Sequence, residues 1–264
     1  MGIVDFLKLP EARCICNLDD PSVTLLHSRI LQRKGFLRRL YTDFYRDISD
    51  RLPERESRVV VELGSGGGFI KEIIPEAITS DVLELPHIDK VFSACEMPFE
   101  DGSVDAIVMI DVLHHIGEPC RFFDQAVRCL RNGGKIVMIE PANTLWSRFI
   151  YGKFHHELFD PQAGWGHDQP GPLSGGNGAL PWIIFCRDRG RFVKEYKQLS
   201  VKSIKLHTPL AYLLSGGFTL RQLVPSFCYR LVRGLEYVLS PMNRWLAMFA
   251  TIELLKRNSV GRGA

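Results

Sequence analysis

A glycine-rich turn follows a short β-branched run, and these residue types could bind a ligand. The turn reads Glu62-Leu63-Gly64-Ser65-Gly66-Gly67-Gly68. Glycines at a strand-to-helix turn let the backbone approach a ligand without interference from a Cβ atom. Phe69 stands where a dinucleotide fingerprint begun at Gly64 needs glycine, and where a phosphate-binding loop needs its second glycine. The turn therefore predicts a ligand that is not held through phosphates.

Two aspartates follow predicted strands farther along the chain. Asp81 lies 81 − 62 = 19 residues beyond Glu62, and Asp111 comes directly after an apolar run. A carboxylate can accept two hydrogen bonds, as a ribose diol requires, although an aspartate after a strand is more often a cap or turn residue. Ligands of open parallel sheets bind at the carboxyl ends of the strands, so both aspartates and the glycine turn should meet there.

The ordered set of motifs resembles class I S-adenosylmethionine-dependent methyltransferases, and in particular the small-molecule branch often called methyltransferase type 11. Residues 93–99 read S-A-C-E-M-P-F and residues 101–105 read D-G-S-V-D, which is similar to the family stretch D-A-x-x-L-P-F…D-x-S-F-D. Ser93 replaces the family aspartate that accepts from the adenine amino group, so that contact would come from a shorter, neutral hydroxyl. The resemblance covers residues 62–141, about a third of the chain.

The resemblance implies S-adenosylmethionine as the cofactor. Its ammonium and sulfonium groups would be complemented by nearby carboxylates. In the family the acid and the glycine backbone hold the methionine end, the acid after the second strand holds the ribose, and the next two motifs approach the adenine and the amino group. The residues that the resemblance assigns to the cofactor are Glu62, Gly64, Ser65, Gly66, Gly68, Asp81, Ser93, Ala94 and Asp111.

The catalytic residue is left open by the sequence. Methyl transfer is an in-line displacement that depends mainly on alignment in a dry site, and a base is needed only for an acceptor proton of poor acidity. His115, His155 and His167 are candidate bases, and each could equally have a structural role. The histidines do not have the close spacing of metal ligands, so no metal site is expected.

Two segments after residue 141 could serve the acceptor. Residues 164–181 are rich in glycine and proline and are interpreted as a functional lid or a mobile insertion. Residues 227–246 are aromatic and amphipathic, which favours core or a dimer surface. An apolar wall for a lipid-like acceptor, or contact with a membrane surface, is the alternative, and Arg230, Arg233 and Arg244 support it.

The elements that position these residues alternate between apolar strands and helices. One long helix is expected over 23–52, ended by Pro53, and its other face is basic. Strands are expected at 58–63, 77–81, 90–94, 104–110, 135–139, 199–205 and 247–256; helices at 69–74 and 121–130; and a turn at 132–134. This alternation predicts crossover units and a parallel sheet. The resemblance implies an α/β Rossmann-like fold with a seven-stranded, mostly parallel sheet in the order 3-2-1-4-5-7-6 and helices on both faces.

Composition is that of an ordinary soluble globular protein. The chain has 264 residues, 45% of them hydrophobic and 24% charged, with a formal charge of +3. That charge is too small for a dedicated nucleic-acid binder. Seven irregularly spaced cysteines do not suggest a disulfide framework. Without a secretion signal in the first ten residues or an uncharged stretch of the ~20 residues that span a bilayer, a cytoplasmic enzyme is expected.

These observations predict a single methyltransferase domain over residues 1–264. It would comprise an N-terminal helical cover (1–55), a cofactor-binding half (56–141), a substrate-side insertion or lid (142–198) and C-terminal strands with an amphipathic helix (199–264). The expected reaction is methyl transfer to a small apolar or anionic organic acceptor, at oxygen rather than nitrogen or carbon. The alternative is a protein that binds S-adenosylmethionine for non-methylating catalysis or as a scaffold subunit. The oligomeric state is not determined by the sequence.

Overall fold

A seven-stranded sheet in the order β3-β2-β1-β4-β5-β7-β6 organises the computed structural model, which describes residues 7–14, 17–154, 157–166, 171 and 174–257. Strands β1 to β5 are parallel neighbours, whereas β7 runs antiparallel between β5 and β6. The predicted fold class and strand order are therefore confirmed. The strands are β1 Val60–Glu62, β2 Ile78–Asp81, β3 Lys90–Val91, β4 Val104–Ile110, β5 Leu130–Pro141, β6 Leu199–His207 and β7 Phe249–Lys256.

Helices pack on both faces of this sheet. The helices are α1 Pro21–Arg33, α2 Gly35–Ser49, α3 Pro119–Cys129, α4 Leu145–Phe154, α5 Leu180–Trp182, α6 Arg189–Glu195, α7 Ala211–Ser215, α8 Tyr229–Val238 and α9 Asn243–Leu246. Single 3-10 turns lie at Pro10–Cys14, Ile70–Glu72, Leu113–His115, Ser226–Cys228 and Ser240–Met242, and a π-turn at Ile183–Arg187.

Strand β4 separates two hydrophobic clusters, because successive side chains of a strand point to opposite faces. Ile107 and Met109 pack with α3 and α6, whereas Ala106 and Val108 pack with α2, α4, α7 and α8. Both clusters consist of buried side chains, so the strands are covered on both sides as parallel sheets require. The carboxyl ends of β1, β2 and β4 are left to meet at one edge.

Several element boundaries differ from those predicted. The strand predicted at 90–94 is only Lys90–Val91, and the helix predicted at 69–74 is one 3-10 turn. The turn predicted at 132–134 lies inside β5, where the pairing with β4 shifts register because Gly133 has φ +79°. Segment 227–246 is not simply core, since its large apolar side chains are divided between the interior and the surface.

The single helix predicted over 23–52 is two helices, because the backbone at Lys34 leaves the helical region with φ −84° and ψ 89°. This break turns Lys34 inward from the basic face. Its side chain is buried, and its Nζ donates to the carbonyl oxygens of Gly217 (2.5 Å) and Leu220 (2.9 Å). Burial, with the charge of Arg33 nearby, lowers the pKa of Lys34 to about 8. Lys34 thus ties the helical cover to the loop 216–220.

In the part of the chain that is described, no helix has the length and hydropathy needed to cross a bilayer.

Replacing Lys34 by methionine should lower the free energy of unfolding by about 1–3 kcal/mol, because two carbonyl oxygens lose their donor while the packed stem is kept. Urea unfolding followed by circular dichroism measures the change. Arg33→Met is the matched control. Arg33 is exposed and pairs with Glu11, so its loss should cost less than about 0.5 kcal/mol. Equal effects of the two substitutions would contradict the role given to Lys34.

Candidate active site

Two connected cavities lie at the carboxyl edge of the sheet. The Asp81 cleft, of about 690 Å³, is lined by Asp81, Ser93 and Ala94. The tyrosine cavity, of about 280 Å³, is named for four lining residues, Tyr41, Tyr45, Tyr151 and Tyr212. Residues shared by both walls are Thr24, Gly64, Gly66, Asp111 and His115. The structure thus brings all nine predicted cofactor residues onto these two walls: Glu62, Gly64, Ser65, Gly66, Gly68, Asp81, Ser93, Ala94 and Asp111.

The glycine turn after β1 needs glycine for two separate reasons. Gly64 has φ +59°, a left-handed conformation that side chains disfavour, and a Cβ there would lie 2.6 Å from Val112. A Cβ on Gly67 would lie 2.6 Å from the Cα atom of Ser28 in α1. The turn is therefore closed against the helical cover and the β4 turn, which leaves backbone atoms to face the cavities.

Glu62 ends β1 as a buried carboxylate with an incomplete set of partners. The side chains of Ser65 and Tyr45 donate to it, but among the described residues Oε2 has no hydrogen-bond partner. Burial, with Asp81 nearby, raises the pKa of Glu62 to about 7, although the hydrogen bonds from Ser65 and Tyr45 lower it. A buried oxygen without a donor is costly, so this position fits a ligand that brings a donor or a positive charge.

Asp81 ends β2 and is held by two backbone donors. Its Oδ2 accepts from the N–H of Gly66 at 2.9 Å, and its Oδ1 accepts from the N–H of Leu83 at 3.0 Å. A carboxylate has about four lone-pair positions, so each oxygen can still accept from a hydroxyl. The Oγ of Ser93 accepts from the N–H of Cys95 at 3.1 Å, which makes Ser93 a turn residue as well as a wall of the Asp81 cleft.

The turn after β4 is held by Glu140, which sequence reasoning did not identify. This carboxylate at the end of β5 is fully buried and accepts from the N–H groups of Val112 (3.0 Å) and Leu113 (2.7 Å). The turn forces Asp111 to φ +56°, an uncommon conformation for a residue with a side chain. Burial, with Glu140 and Glu157 nearby, raises the pKa of Asp111 to about 8, although His114 lowers it.

His114 is a buried cation between two carboxylates. Its Nδ1 donates to Glu140 at 2.7 Å, and its Nε2 lies 3.4 Å from Glu157. Burial alone would lower the pKa of His114, but the hydrogen bonds and charges of Glu140 and Glu157 outweigh it and hold the pKa well above its usual range. The side chain of Glu157 is thereby fixed on the wall of the tyrosine cavity.

His115 has the opposite protonation state. Its Nδ1 donates to the carbonyl oxygen of Gly175 at 2.6 Å, so Nε2 keeps its lone pair. Burial, with the charge of His114 beside it, lowers the pKa of His115 to about 4. A neutral imidazole therefore stands at the junction of the two cavities, with its Nε2 4.0 Å from Oε1 of Glu157.

The other candidate bases, His155 and His167, lie outside the described residues. Within them, ligand atoms of His114, His115 and Glu157 come within 4.8 Å of one another, as do those of Asp111, His114 and Glu140. Both ring nitrogens of His114 already face carboxylates. The expectation that the protein has no metal site stays a prediction. Glu140 could have been suspected because it is an acid that directly follows the apolar run 136–139, and Glu157 because it follows two histidines.

The described part of the glycine- and proline-rich segment 164–181 packs against the His114–His115 turn. The N–H of Asn177 donates to the carbonyl oxygen of His114 at 2.9 Å, and its side chain exchanges two hydrogen bonds of 2.9 Å with the backbone of Asp160. Asn177 is thus a buried structural residue. Whether the rest of this segment closes over a ligand stays a prediction.

The electrostatic character of the two cavities fits a cationic cofactor. Their described walls carry the carboxylates Glu62, Asp81, Glu96, Asp111, Glu118 and Glu157. Arg121 is the only lysine or arginine among those described lining residues, and it pairs with Glu118 at 2.8 Å. Oε2 of Glu62 has no hydrogen-bond partner among the described residues, which fits the ammonium group of S-adenosylmethionine. Each oxygen of Asp81 can accept a further hydrogen bond, which fits the ribose hydroxyls.

Comparisons with known proteins agree with this geometry. A family model described as a methyltransferase domain matches residues 61–138. A protein of Mycobacterium tuberculosis described as a probable S-adenosylmethionine-dependent methyltransferase is 26% identical over 109 residues, which are 36% of this chain and 40% of that protein. A demethylmenaquinone methyltransferase of Clavibacter sepedonicus is 37% identical over 60 residues, 23% of each chain.

Among solved structures, an S-adenosylmethionine-dependent methyltransferase from Archaeoglobus fulgidus has a TM-score of 0.50 and 16% identity, covering 83% of this chain and 94% of its own. The sheet order and the acid-glycine turn after β1 define the class I methyltransferase fold. Residues 61–138 thus match a methyltransferase domain, and the chain has the class I S-adenosylmethionine-dependent methyltransferase fold, whose cofactor is S-adenosylmethionine. The aligned region spans about two fifths of the Mycobacterium relative.

If Glu62 binds the cofactor's ammonium, affinity for S-adenosylhomocysteine should rise about tenfold from pH 6 to pH 8, as the carboxyl with a pKa of about 7 loses its proton. Calorimetric titration measures this change. Glu62→Gln should bind weakly, without that pH dependence.

The same shift predicts an effect on stability. Because the folded pKa is raised, charging Glu62 costs stability as pH rises from about 4.5 to about 7. Glu62→Gln should therefore unfold at a higher temperature than the wild type at pH 8 and at a similar temperature at pH 5. An unchanged melting temperature at pH 8 would argue that Glu62 is not charged at a cost in the free protein.

Proposed function

We propose that this protein transfers the methyl group of S-adenosylmethionine to a hydroxyl oxygen of a small, apolar acceptor. The observation that carries the proposal is the junction between the two cavities. At this junction His115 presents a neutral ring nitrogen, and on the adjoining wall of the tyrosine cavity Glu62 presents a buried oxygen without a partner among the described residues. Cofactor and acceptor would meet at this junction.

The walls of the tyrosine cavity support an apolar acceptor. No lysine or arginine is found among its described lining residues, and the His114 cation on this wall already faces Glu140 and Glu157. A phosphate or carboxylate group would therefore lack an available cationic partner among these residues. The outer wall of the cavity is aliphatic and aromatic, with Ile150, Phe154, Leu158, Tyr212 and Phe218. Such a wall gains affinity by removing apolar surface from water. Of the two acceptor types expected from the sequence, the apolar one fits better.

The chain's own residues would hold and align the reactants. When bound, S-adenosylmethionine supplies the activated methyl group. Glu62 would hold its ammonium, Asp81 its ribose hydroxyls, and the backbone from Gly64 to Gly68 would pack along it. In the bound state, the helical cover and the segment around Asn177 would limit the access of water to the junction, which would strengthen these charge interactions. Alignment is the main contribution that such a displacement requires.

His115 would receive the acceptor's hydrogen. Its Nε2 would accept a hydrogen bond from the acceptor hydroxyl and take the proton as the oxygen–carbon bond forms. The bond from Nδ1 to the carbonyl oxygen of Gly175 fixes the ring orientation for this role. Because the pKa of His115 is lowered to about 4, the ring is neutral over the physiological range but is a weak base. It would therefore mainly orient the hydroxyl, and would take the proton only once the forming oxygen–carbon bond has made that hydroxyl strongly acidic.

The test is a release assay on the purified protein. Incubation with S-adenosylmethionine and apolar phenols or alcohols should produce S-adenosylhomocysteine and the methylated oxygen, identified by mass spectrometry. Binding of the cofactor without release, over a broad acceptor panel, would favour non-methylating catalysis or a scaffold role. Methylated amines instead of ethers would overturn the assignment to oxygen.

Substitution of Asp81 by alanine should weaken S-adenosylhomocysteine binding at least tenfold, since the ribose loses its acceptor and the N–H of Gly66 loses its partner. Isothermal titration measures the affinity. Asp89→Ala is the control: Asp89 also accepts from a backbone N–H, that of Thr79, but does not line either cavity. Comparable losses in both variants would show a structural effect only.

Substitution of His115 by alanine should lower kcat about 100-fold and leave the affinity for S-adenosylhomocysteine within threefold of the wild-type value. Steady-state kinetics and calorimetry separate the two quantities. His115→Gln, whose amide oxygen can stand near the position of Nε2, should recover part of the lost rate. A fall in both variants that follows a fall in melting temperature would assign His115 a structural role.

A further inference from the structure

One face of the molecule carries a stripe of exposed apolar side chains, which we call the apolar stripe. It runs along α8 and the short turns on either side of it. Its exposed fractions are 80% for Phe227, 75% for Leu231, 49% for Leu235 and 72% for Val238. Met242 and Trp245 continue it at the same spacing, with 45% and 38% exposed. Single exposed apolar residues are common, but a contiguous row of this length marks a surface that contacts something.

The stripe is a second apolar face on α8. Tyr229 and Val232 point the other way, into the cluster that α8 forms with α2 and α7, so the helix is already anchored without the stripe. Within α8, Leu231, Leu235 and Val238 recur every three or four positions, which places them on one side of that helix. The core therefore does not account for these apolar side chains.

The stripe is continued by α4, which packs against α9. Leu145, Phe149 and Phe154 of α4 are exposed by 68%, 51% and 54%. The rings of Phe149 and Phe154 are in edge contact, with centroids 5.9 Å apart, and Phe154 also lines the tyrosine cavity. The exposed apolar surface thus leads from the stripe to the mouth of the cavity.

The charges on this face have one sign. In the two segments that carry the apolar residues, 141–154 and 221–248, the only carboxylate is Glu236, which is buried and paired with Arg233. The same segments hold the exposed cations Arg148, Lys153, Arg230 and Arg244. None of these four forms an ion pair with a carboxylate of the described chain. Arg244 lies over the ring of Trp245 at 3.6 Å.

We infer that this face docks on a bilayer surface that contains anionic lipids. Apolar side chains would enter the headgroup boundary, while the cations around them would meet lipid phosphates and carboxylates. A second copy of the chain fits less well, because a two-fold interface would bring the same unpaired cations against each other. Docking would also place the mouth of the tyrosine cavity against the bilayer.

This orientation names the acceptor class, a step that rests on the function proposed above. An acceptor entering past Phe154 from the bilayer would be a membrane-dissolved molecule with an apolar body and one hydroxyl. The apolar wall of the tyrosine cavity would then give this molecule an environment similar to the bilayer interior from which it came. Transfer from the membrane to the site would not require passage through water.

Vesicle flotation tests the docking surface without any acceptor or methyl transfer. The full chain should float with vesicles of phosphatidylcholine containing about 30% phosphatidylglycerol, and at least tenfold less with phosphatidylcholine alone. The double variant Leu231→Asp, Leu235→Asp should lose at least tenfold in partitioning to the anionic vesicles. Arg230→Glu, Arg244→Glu should lose a similar amount at low salt.

Val193→Asp is the matched control, since Val193 is 48% exposed on α6, against the opposite face of the sheet, and should float like the wild type. Absence of flotation of the wild type, or equal loss in the Val193 variant, would overturn the inference. So would light scattering that shows a dimer dissolved by the Leu231 and Leu235 substitutions. Calorimetry with S-adenosylhomocysteine separates the two proposals: unchanged cofactor affinity in the stripe variants leaves the proposed function intact whichever way flotation falls.

Discussion

The buried carboxylate of Glu140 is the interaction on which the site depends. From the end of β5 it accepts two N–H groups of the turn after β4 and the Nδ1 hydrogen of His114. Those bonds hold the turn in a conformation that places Asp111 at φ +56° and directs His115 toward the cavities. A carboxylate buried to this degree is stable only with its donors in place, so the turn and the strand end specify each other.

Two buried acids of the site, Glu62 and Asp111, lower the stability of the free protein in a way that favours the binding of a cation. Glu62 and Asp111 have pKa values raised to about 7 and about 8, because burial disfavours their charged forms. A cationic ligand reverses that penalty on binding, since it returns a counter-charge to a poorly solvated carboxylate. The free protein is thus less stable than a variant with uncharged side chains at these two positions would be. Binding of a cationic ligand would stabilise the folded state.

The helices on the two faces of the sheet differ in what they enclose. On one face, α3 and α6 complete a cluster of buried aromatic side chains around Phe123 and Phe192. On the other, α2, α4, α7 and α8 enclose the tyrosine cavity and leave apolar side chains outside it. Because α8 is anchored by Tyr229 and Val232, its outer side is free to vary without loss of the core.

The sequence by itself determined the glycine turn and the alternation of strands with helices, because β-branched runs, glycine spacing and acids after strands are local signals that one stretch of chain carries. The strand order came from the resemblance to class I methyltransferases that those motifs carry. The sequence could not determine the break at Lys34, the pairing of His114 with Glu140 and Glu157, or the division of segment 227–246 between core and surface. Each of these depends on partners distant along the chain, such as Gly217 for Lys34. Only the tertiary structure brings such groups together, and only burial then sets their charge.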